Sequence, residues 1–195
     1  MAEAAKRNAT YADLQAVPPH LVAELIDGSL VTHPRPAPPH AIAANSLADE
    51  VSSTFQKGRG GPGGWVFMTE PELHLGIQVV VPDIAGWRIE RLSEVPDAAY
   101  LETQPDWVCE IVSPSTEQVD RGPKRRIYAT AGVQYLWLLN PVSKVLEAFK
   151  LDGEEWRNIT TVVDGEDVSV EPFEAISFPL DVLWPLPMAG ENSTQ

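Results

Sequence analysis

The sequence of 195 residues has few or none of the features that define several protein classes. Its one cysteine, Cys109, cannot form an internal disulfide, and a single thiol within an apolar run is typical of a reducing compartment. There is no run of about 18 apolar residues, which excludes a membrane-spanning helix. Residues 1–10 lack the apolar segment of a secretory signal. We therefore expect a cytoplasmic protein that has no membrane partner.

Positive charge is also scarce. Lysine and arginine together number 14, against 28 aspartate and glutamate residues, which gives a net charge of -14. Proteins that bind nucleic acids usually present a basic surface, because contacts to phosphates supply much of their affinity. The charge therefore argues against tight non-specific binding of DNA. It leaves room for a local basic strip, or for acidic residues gathered around a divalent cation.

The sequence does contain enough apolar material for one folded domain. Hydrophobic residues make up 44% of the chain, a fraction typical of globular proteins. We predict a single domain over residues 10–187, between polar tails at residues 1–9 and 188–195. Hydrophobic patterning predicts, in order, a helix, a hairpin, a helix, strands, a helix and further strands. This order indicates an α+β or mixed α/β fold built around one sheet.

Local signals define several of these elements. Thr10 to Asp13 resembles a capping box that begins a short helix. Asp27-Gly28 is a strong turn signal for a hairpin. Apolar residues about four positions apart predict a helix from His40 to Gln56. Because Pro82 cannot donate a ladder hydrogen bond, the predicted strand Gln78–Trp87 must bend, bulge or break at that residue.

The most informative single residue is Glu110, because every neighbour in the run from Trp107 to Val112 is apolar. This run predicts a central strand that is covered on both faces. A charged carboxylate buried in such a strand is costly unless a partner compensates its charge. The compensation can come from a metal ion, from a structural Lys or Arg, or from a proton held by a raised pKa. The sequence leaves these alternatives open.

Asp83 is the second candidate residue. It follows Pro82 at the end of an apolar run, and a Pro-Asp pair alone is common in turns. Its value comes from the pairing with Glu110, because two carboxylates on adjacent strands can share a hard divalent ion. Mg²⁺ favours one or two carboxylates together with waters and phosphate oxygens. The pair therefore predicts a Mg²⁺ site that could activate a water.

Lys124 is the third candidate. It lies four residues after Asp120, so both side chains share one face of a predicted helix. A lysine on the inner face of that helix could reach the site and stabilise charge that develops on phosphorus. The alternative is a solvated basic helix start, because Arg121, Arg125 and Arg126 lie close by in the sequence.

These motifs resemble the Uma-type family of restriction endonucleases, which belongs to the PD-(D/E)XK nuclease superfamily. The resemblance spans about Tyr11 to Trp184. The residues that carry it are Pro82-Asp83, Asp106 to Thr116, Asp120 and Lys124, Tyr128, Gly132 to Trp137, and upstream Glu24 to Leu30 with His40. The run from Glu110 to Thr116, with the downstream Asp120 and Lys124, is its most specific part.

The resemblance implies a restriction-endonuclease-like core, with a central mixed β-sheet flanked by helices, and Mg²⁺-dependent hydrolysis of phosphodiester bonds. Asp83 would be the Asp of the PD motif, and Glu110 would be the acidic residue of the (D/E)XK motif. The lysine position of that motif is Val112 in this chain, and valine cannot stabilise charge. Lys124 is therefore expected to replace the missing lysine, with Asp120 orienting it or the helix start.

The resemblance also suggests further residues for the site. The backbone carbonyl of Ile111 is a candidate metal ligand. Glu24 is another, although a surface position on an edge strand would explain Glu24 equally well. His40 is expected to begin or cap a helix rather than to catalyse.

The leading hypothesis is a DNA endonuclease that depends on Mg²⁺, with Mn²⁺ as a substitute. The alternative is a nuclease fold that binds or regulates without catalysis, which the acidic charge and Val112 favour. A carboxylate-pair glycosidase is a weaker hypothesis, because no aromatic sugar platform can be placed near the site. A symmetric homodimer would suit cleavage of both strands of a duplex, with strands near Trp65 and Val145–Phe149 extending the sheet.

Overall fold

The computed structural model describes residues 6–92 and 94–187. The helices are α1 (Tyr11–Gln15), α2 (Pro38–Phe55), α3 (Glu117–Val119), a π-helical turn (Asp120–Lys124), α4 (Arg125–Ala131) and a 3₁₀ helix (Leu180–Leu183). The strands are β1 (Lys6–Arg7), β2 (Leu21–Ile26), β3 (Ser29–Pro34), β4 (Trp65–Thr69), β5 (Leu73–Leu75), β6 (Gln78–Val80), β7 (Ile84–Arg88), β8 (Trp107–Ile111), β9 (Tyr135–Asn140), β10 (Val145–Asp152), β11 (Glu155–Val163), β12 (Asp167–Val168) and β13 (Phe178–Pro179).

Six of the strands form a central mixed sheet in the order β11-β10-β9-β8-β7-β4. β8 and β9 run parallel, and the other neighbouring pairs of this sheet are antiparallel. A second, antiparallel sheet has the order β1-β3-β2-β6-β5. The predicted fold class is confirmed, since a mixed α+β chain is built around a large mixed sheet. The five-stranded sheet is an addition to the one sheet that was predicted.

The strand predicted over Gln78–Trp87 breaks at Pro82, as its lack of an N–H requires. Residues up to Val80 form β6 in the five-stranded sheet, and residues from Ile84 onward form β7 in the six-stranded sheet. The chain therefore crosses from one sheet to the other through residues 81–83. Asp83 lies at this crossing, immediately before a central strand.

One face of the six-stranded sheet carries an apolar, aromatic core. Side chains alternate between the two faces of a strand, and Trp107, Cys109 and Ile111 of β8 all belong to this core. Helix α2 covers the face with a stripe of four buried residues: Ala43, Leu47, Val51 and Phe55. The ring of Phe173 lies at the centre of the aromatic group, with its centroid 5.0 Å from that of Trp107.

The opposite face packs against α4 and the five-stranded sheet. Val108 and Val112 lie in this second core together with Ile127 and Tyr128 of α4. By the same alternation, Glu110 shares this face with Val108 and Val112. Val112 is 1% exposed and part of the apolar packing.

The helical segment after β8 is interrupted by a π-helical turn. Pro123 lies inside this turn and cannot donate the regular helical hydrogen bond, which is a common cause of local widening. The turn buries two charged side chains, Asp120 and Lys124. Gly132, with a φ of 80°, then ends α4.

Several local predictions are confirmed at the N-terminal end. Thr10 caps α1 with a capping box formed with Asp13, and Asp27-Gly28 connects the hairpin strands β2 and β3. Lys6 and Arg7, which were assigned to the N-terminal tail, instead pair with β3. Residues 1–5 of that tail and the predicted tail 188–195 lie outside the described residues. Across residues 6–92 and 94–187, no helix has the length and apolar character needed to span a bilayer.

Candidate active site

The two candidate carboxylates face one cavity: Asp83 immediately precedes β7, and Glu110 lies on the neighbouring strand β8. The antiparallel pairing of β7 with β8 joins Ile84 to Cys109, so one further step along the ladder puts Asp83 opposite Glu110. The Ile111 N–H donates a hydrogen bond of 2.6 Å to Asp83 Oδ2, which fixes the Asp83 side chain against β8. Both carboxylates line a cavity of about 270 Å³.

Glu110 is held by two donors from the helical segment. Its Oε1 lies 2.9 Å from Lys124 Nζ and accepts a hydrogen bond of 2.5 Å from the Tyr128 hydroxyl. Burial raises the pKa of Glu110 well above its usual range, and the nearby carboxylates of Asp120, Asp83 and Glu24 raise it further against the opposing charge of Lys124. Placing another cation beside Glu110 would therefore favour its ionised form.

Lys124 is buried among acids rather than solvated. Its ammonium lies 2.9 Å from Glu110, 3.0 Å from Glu24 and 3.7 Å from Asp120, and it donates a hydrogen bond of 3.1 Å to the Val81 carbonyl. Burial alone would lower the pKa of Lys124, but the surrounding carboxylates outweigh burial and hold this pKa well above its usual value. Lys124 is therefore a charged ammonium, and its interpretation as part of a solvated basic helix start is wrong.

Glu24 is the second acid bound to Lys124. It is 1% exposed on β2, an interior strand of the five-stranded sheet, so its interpretation as an edge-strand surface residue is wrong. Its Oε1 accepts a hydrogen bond of 2.8 Å from the Val81 N–H, and its Oε2 lies 3.6 Å from His33 Nε2. Burial would raise the pKa of Glu24, but the charge of Lys124, the nearby His33 and the hydrogen bond from Val81 lower it to about 2.

Asp120 completes the buried group of charges. It is 4% exposed and lines the cavity. Burial raises the pKa of Asp120 against the opposing charge of Lys124. Ile111 takes part through its N–H, which binds Asp83, and its carbonyl remains a predicted ligand. The structure thus brings together all the side chains selected from the sequence: Asp83, Glu110, Asp120, Lys124 and Glu24.

His40 also belongs to the site, although the sequence predicted only that it begins or caps a helix. It lies in the first turn of α2, as expected, but its Nε2 is also 3.2 Å from Asp83 Oδ1. Its Nδ1 is buried and has no hydrogen-bond partner among the residues that the structure describes. The position of His40 within the motif that resembles the family was the signal available in the sequence.

The donor chemistry of the cavity fits a hard divalent ion. Asp83 and Glu110 offer carboxylate oxygens, the ligands that Mg²⁺ prefers, and Mg²⁺ needs only one or two of them when waters complete its shell. Among the described residues, no group of three or more His, Cys, Asp or Glu side chains is arranged to hold a metal ion. Lys124 alone also offsets the charge of Glu110, so the burial of Glu110 does not by itself require a metal.

Comparisons with known proteins identify the family and agree with this fold. The sequence matches the family Uma2, described as "Putative restriction endonuclease", over residues 9–182. No curated protein matches it. A solved structure from Anabaena variabilis ATCC 29413, described as "a putative nuclease belonging to DUF820", has a similar fold, with a TM-score of 0.72 at 20% sequence identity. The similarity covers 91% of this chain and 98% of the other.

Proposed function

The chain belongs to the Uma2 family of restriction-endonuclease-like proteins, as its motifs predicted, and from this premise we propose that it hydrolyses phosphodiester bonds in DNA as a divalent-metal-dependent endonuclease. The observation that carries the proposal is the convergence of Asp83 and Glu110 on one cavity, with the Lys124 ammonium 2.9 Å from Glu110. A homodimer that cuts both strands is part of the proposal and follows only from substrate symmetry.

Asp83 and Glu110 would hold the ion, and the Ile111 carbonyl is a further proposed ligand. Mg²⁺, or Mn²⁺ in its place, supplies Lewis-acid stabilisation and an activated water when bound. Asp83 is kept in one orientation by the Ile111 N–H and by His40. Such preorganisation matters because a group that is already in place costs no reorientation during the reaction.

Lys124 has the role of a fixed positive charge beside the reacting phosphate. Its position is set by Glu24, Asp120 and the Val81 carbonyl, so it does not need to move when the substrate arrives. Both carboxylate oxygens of Glu24 already have partners, because Oε1 contacts Lys124 and Oε2 lies beside His33. In this proposal Glu24 therefore acts by orienting Lys124, and a direct contact between Glu24 and the metal is a secondary assignment.

The test is cleavage of plasmid DNA with Mg²⁺ or Mn²⁺ by wild type, Glu110→Gln and Lys124→Ala. Each variant is expected to lose about 100-fold or more in rate, which is the size of effect that follows loss of one electrostatic group in an active site. Equal cleavage by all three proteins would remove the assignment. Mg²⁺ binding measured by calorimetry provides a readout besides activity, and Glu110→Gln should weaken it.

Asp106→Asn is the matched control. Asp106 is a buried acid at the other end of the same strand, where it binds the Arg88 N–H and the Arg91 guanidinium. The control should lower the melting temperature but leave the rate per folded molecule unchanged. A comparable loss of rate in Asp106→Asn would show that the losses reflect general damage to β8.

The second candidate function is a nuclease fold that binds nucleic acid or protein without catalysis. It is favoured by the burial of Val112 at the lysine position and by the complete set of partners that Lys124 already has. This function predicts DNA or protein binding that is the same with and without Mg²⁺. Binding without Mg²⁺ uptake in calorimetry would select it.

A further inference from the structure

We propose that Arg35 is the residue that receives a backbone phosphate of the nucleic acid at the mouth of the cavity, and that Glu70 holds it ready in the free protein. The inference rests on the proposed function in that the nucleic acid is taken to enter this cavity. It adds a substrate contact that neither the family membership nor the motifs assign. It also addresses how a chain with a net charge of -14 could bind a polyanion.

The cations that line the cavity differ in their availability. The described lining includes His33, Arg35, His40 and Lys124 as the side chains that can carry positive charge. The side chains of Lys124, His40 and His33 are 3%, 11% and 23% exposed, and each lies beside a carboxylate of the site. The side chain of Arg35 is 54% exposed. Arg35 is therefore the cation among the four that an incoming phosphate can reach most readily.

The present partners of Arg35 are exchangeable. One guanidinium nitrogen donates to Glu70 Oε2 at 3.1 Å, and the other donates to the Pro19 carbonyl at 3.3 Å. The Glu70 side chain is itself 40% exposed, and ion pairs in such positions contribute little net stability. A phosphate can replace the carboxylate at small cost, because a planar guanidinium binds both anions, and its two N–H donors can hold a phosphate in parallel once they leave Glu70 and the Pro19 carbonyl.

The backbone conformation is restricted at both residues of the pair, Arg35 and Glu70. Arg35 lies between Pro34 and Pro36, and a residue that precedes proline is confined largely to extended conformations. Glu70 is fixed as well: its φ is 48°, an unusual value for a residue with a side chain, and its N–H donates a hydrogen bond of 3.0 Å to the Asp83 carbonyl. The pair is therefore attached to the same backbone that presents Asp83.

These contacts predict that removing the charge of Arg35 and removing the charge of Glu70 have opposite effects on the affinity for nucleic acid. Removing the Arg35 charge removes a phosphate contact. Removing the Glu70 charge frees the guanidinium and takes away a negative charge that repels the substrate at the cavity mouth. If the ion pair were merely structural, both substitutions would change the affinity for DNA in the same direction, since either one breaks the pair.

The experiment measures binding of a fluorescently labelled DNA duplex by anisotropy in Ca²⁺ buffer, over a salt titration. Arg35→Gln is expected to weaken binding about tenfold and to reduce the slope of log affinity against log salt by about 0.9. Glu70→Gln is expected to tighten binding several-fold. The control is Arg126→Gln, because Arg126 forms an exposed ion pair with Asp27 in a different cavity, and its affinity should equal that of wild type.

The proposal is overturned if the duplex affinity of Arg35→Gln equals that of Arg126→Gln, or if Glu70→Gln binds the duplex more weakly than wild type. Inorganic phosphate is titrated separately, and Arg35-dependent binding of phosphate without any effect on the duplex would assign Arg35 to a free-anion site and also overturn the proposal. The proposed function can fail independently of this inference. If the wild-type protein binds DNA through Arg35 but does not cleave it, the inference stands and the nuclease activity is ruled out.

Discussion

Both faces of the six-stranded sheet are buried against an apolar core, but only one of them, the charged face, also holds a group of buried charges among the described residues. On one face, β8 presents Trp107, Cys109 and Ile111 to a core of rings and aliphatic side chains. On the other face, Glu110 of the same strand meets Lys124. Residues that are neighbours in sequence therefore lie in environments that differ completely in charge, because strand geometry sends them in opposite directions.

The difference indicates which face the fold needs and which face a function needs. Apolar burial stabilises a protein in proportion to the area removed from water. A buried group of ions is weak evidence for stability, because replacing it with well-packed apolar residues is often neutral or stabilising. The apolar cores on both faces thus account for the fold, whereas the buried charges of the charged face are explained better by chemistry in the cavity.

The largest effect is expected from Lys124→Met, which removes the cation at the centre of the charged face and so tests the difference between the two faces. Methionine fills a similar volume but leaves Glu24 and Glu110 buried without their shared partner. We expect a loss of about 3–5 kcal/mol in the free energy of unfolding, as for other broken buried ion pairs. Urea denaturation at neutral pH measures it. A loss below about 1 kcal/mol would mean that the charged face behaves like an exposed ion pair.

A second test uses acid, because the charged face holds buried carboxylates whereas the aromatic core has no buried Asp, Glu or His among the described residues. The folded pKa of Glu24 is about 2 against an ordinary value of 4.5, so ionised Glu24 contributes stability above pH 4.5 that is lost as pH falls toward 2. This separation in pKa corresponds to a maximum on the order of 3 kcal/mol. The difference in free energy of unfolding between wild type and Glu24→Gln should therefore shrink as the pH is lowered from 5.5 to 3.

Glu110 does not obscure this result. Its folded pKa is raised by burial, so protonation of Glu110 favours the folded state in acid, which is the opposite sign. That effect is present in both wild type and Glu24→Gln and largely cancels in the difference between them. A difference that stays constant across the pH range would contradict the assignment of Glu24 as an ionised partner of Lys124.

The aromatic face and the charged face were not equally predictable from the sequence. The apolar run from Trp107 to Val112 predicts a doubly covered strand, and the strand is buried throughout. The same run isolates Glu110 as the one residue that needs compensation. Pro82 likewise predicts a break, and the break determines where Asp83 lies. These features were accessible because each depends on a local pattern.

Other features depend on contacts between distant segments and could not be read from any local pattern. Glu24 and Lys124 are separated by 100 positions and meet only because the five-stranded sheet packs beside α4. Phe173 follows no periodic pattern that would identify it, yet it lies at the centre of the aromatic core. The pairing of His40 with Asp83 requires the start of α2 to lie at the crossing between the sheets.

The smallest expected effect comes from the aromatic face, in Phe173→Leu. The Phe173 ring is 1% exposed and lies with its centroid 4.8 to 5.6 Å from those of Phe55, Trp65, Phe67, Trp107 and Trp137. Leucine keeps most of the apolar contact but loses the ring packing, so we expect a cost of about 2 kcal/mol. Because no titratable group contributes to that cost, it should be the same at pH 5.5 and pH 3, in contrast to the cost of Glu24→Gln. If the cost of Phe173→Leu changed with pH in parallel with that of Glu24→Gln, the two faces would be coupled through β8, and the division of fold from function between them would be incorrect.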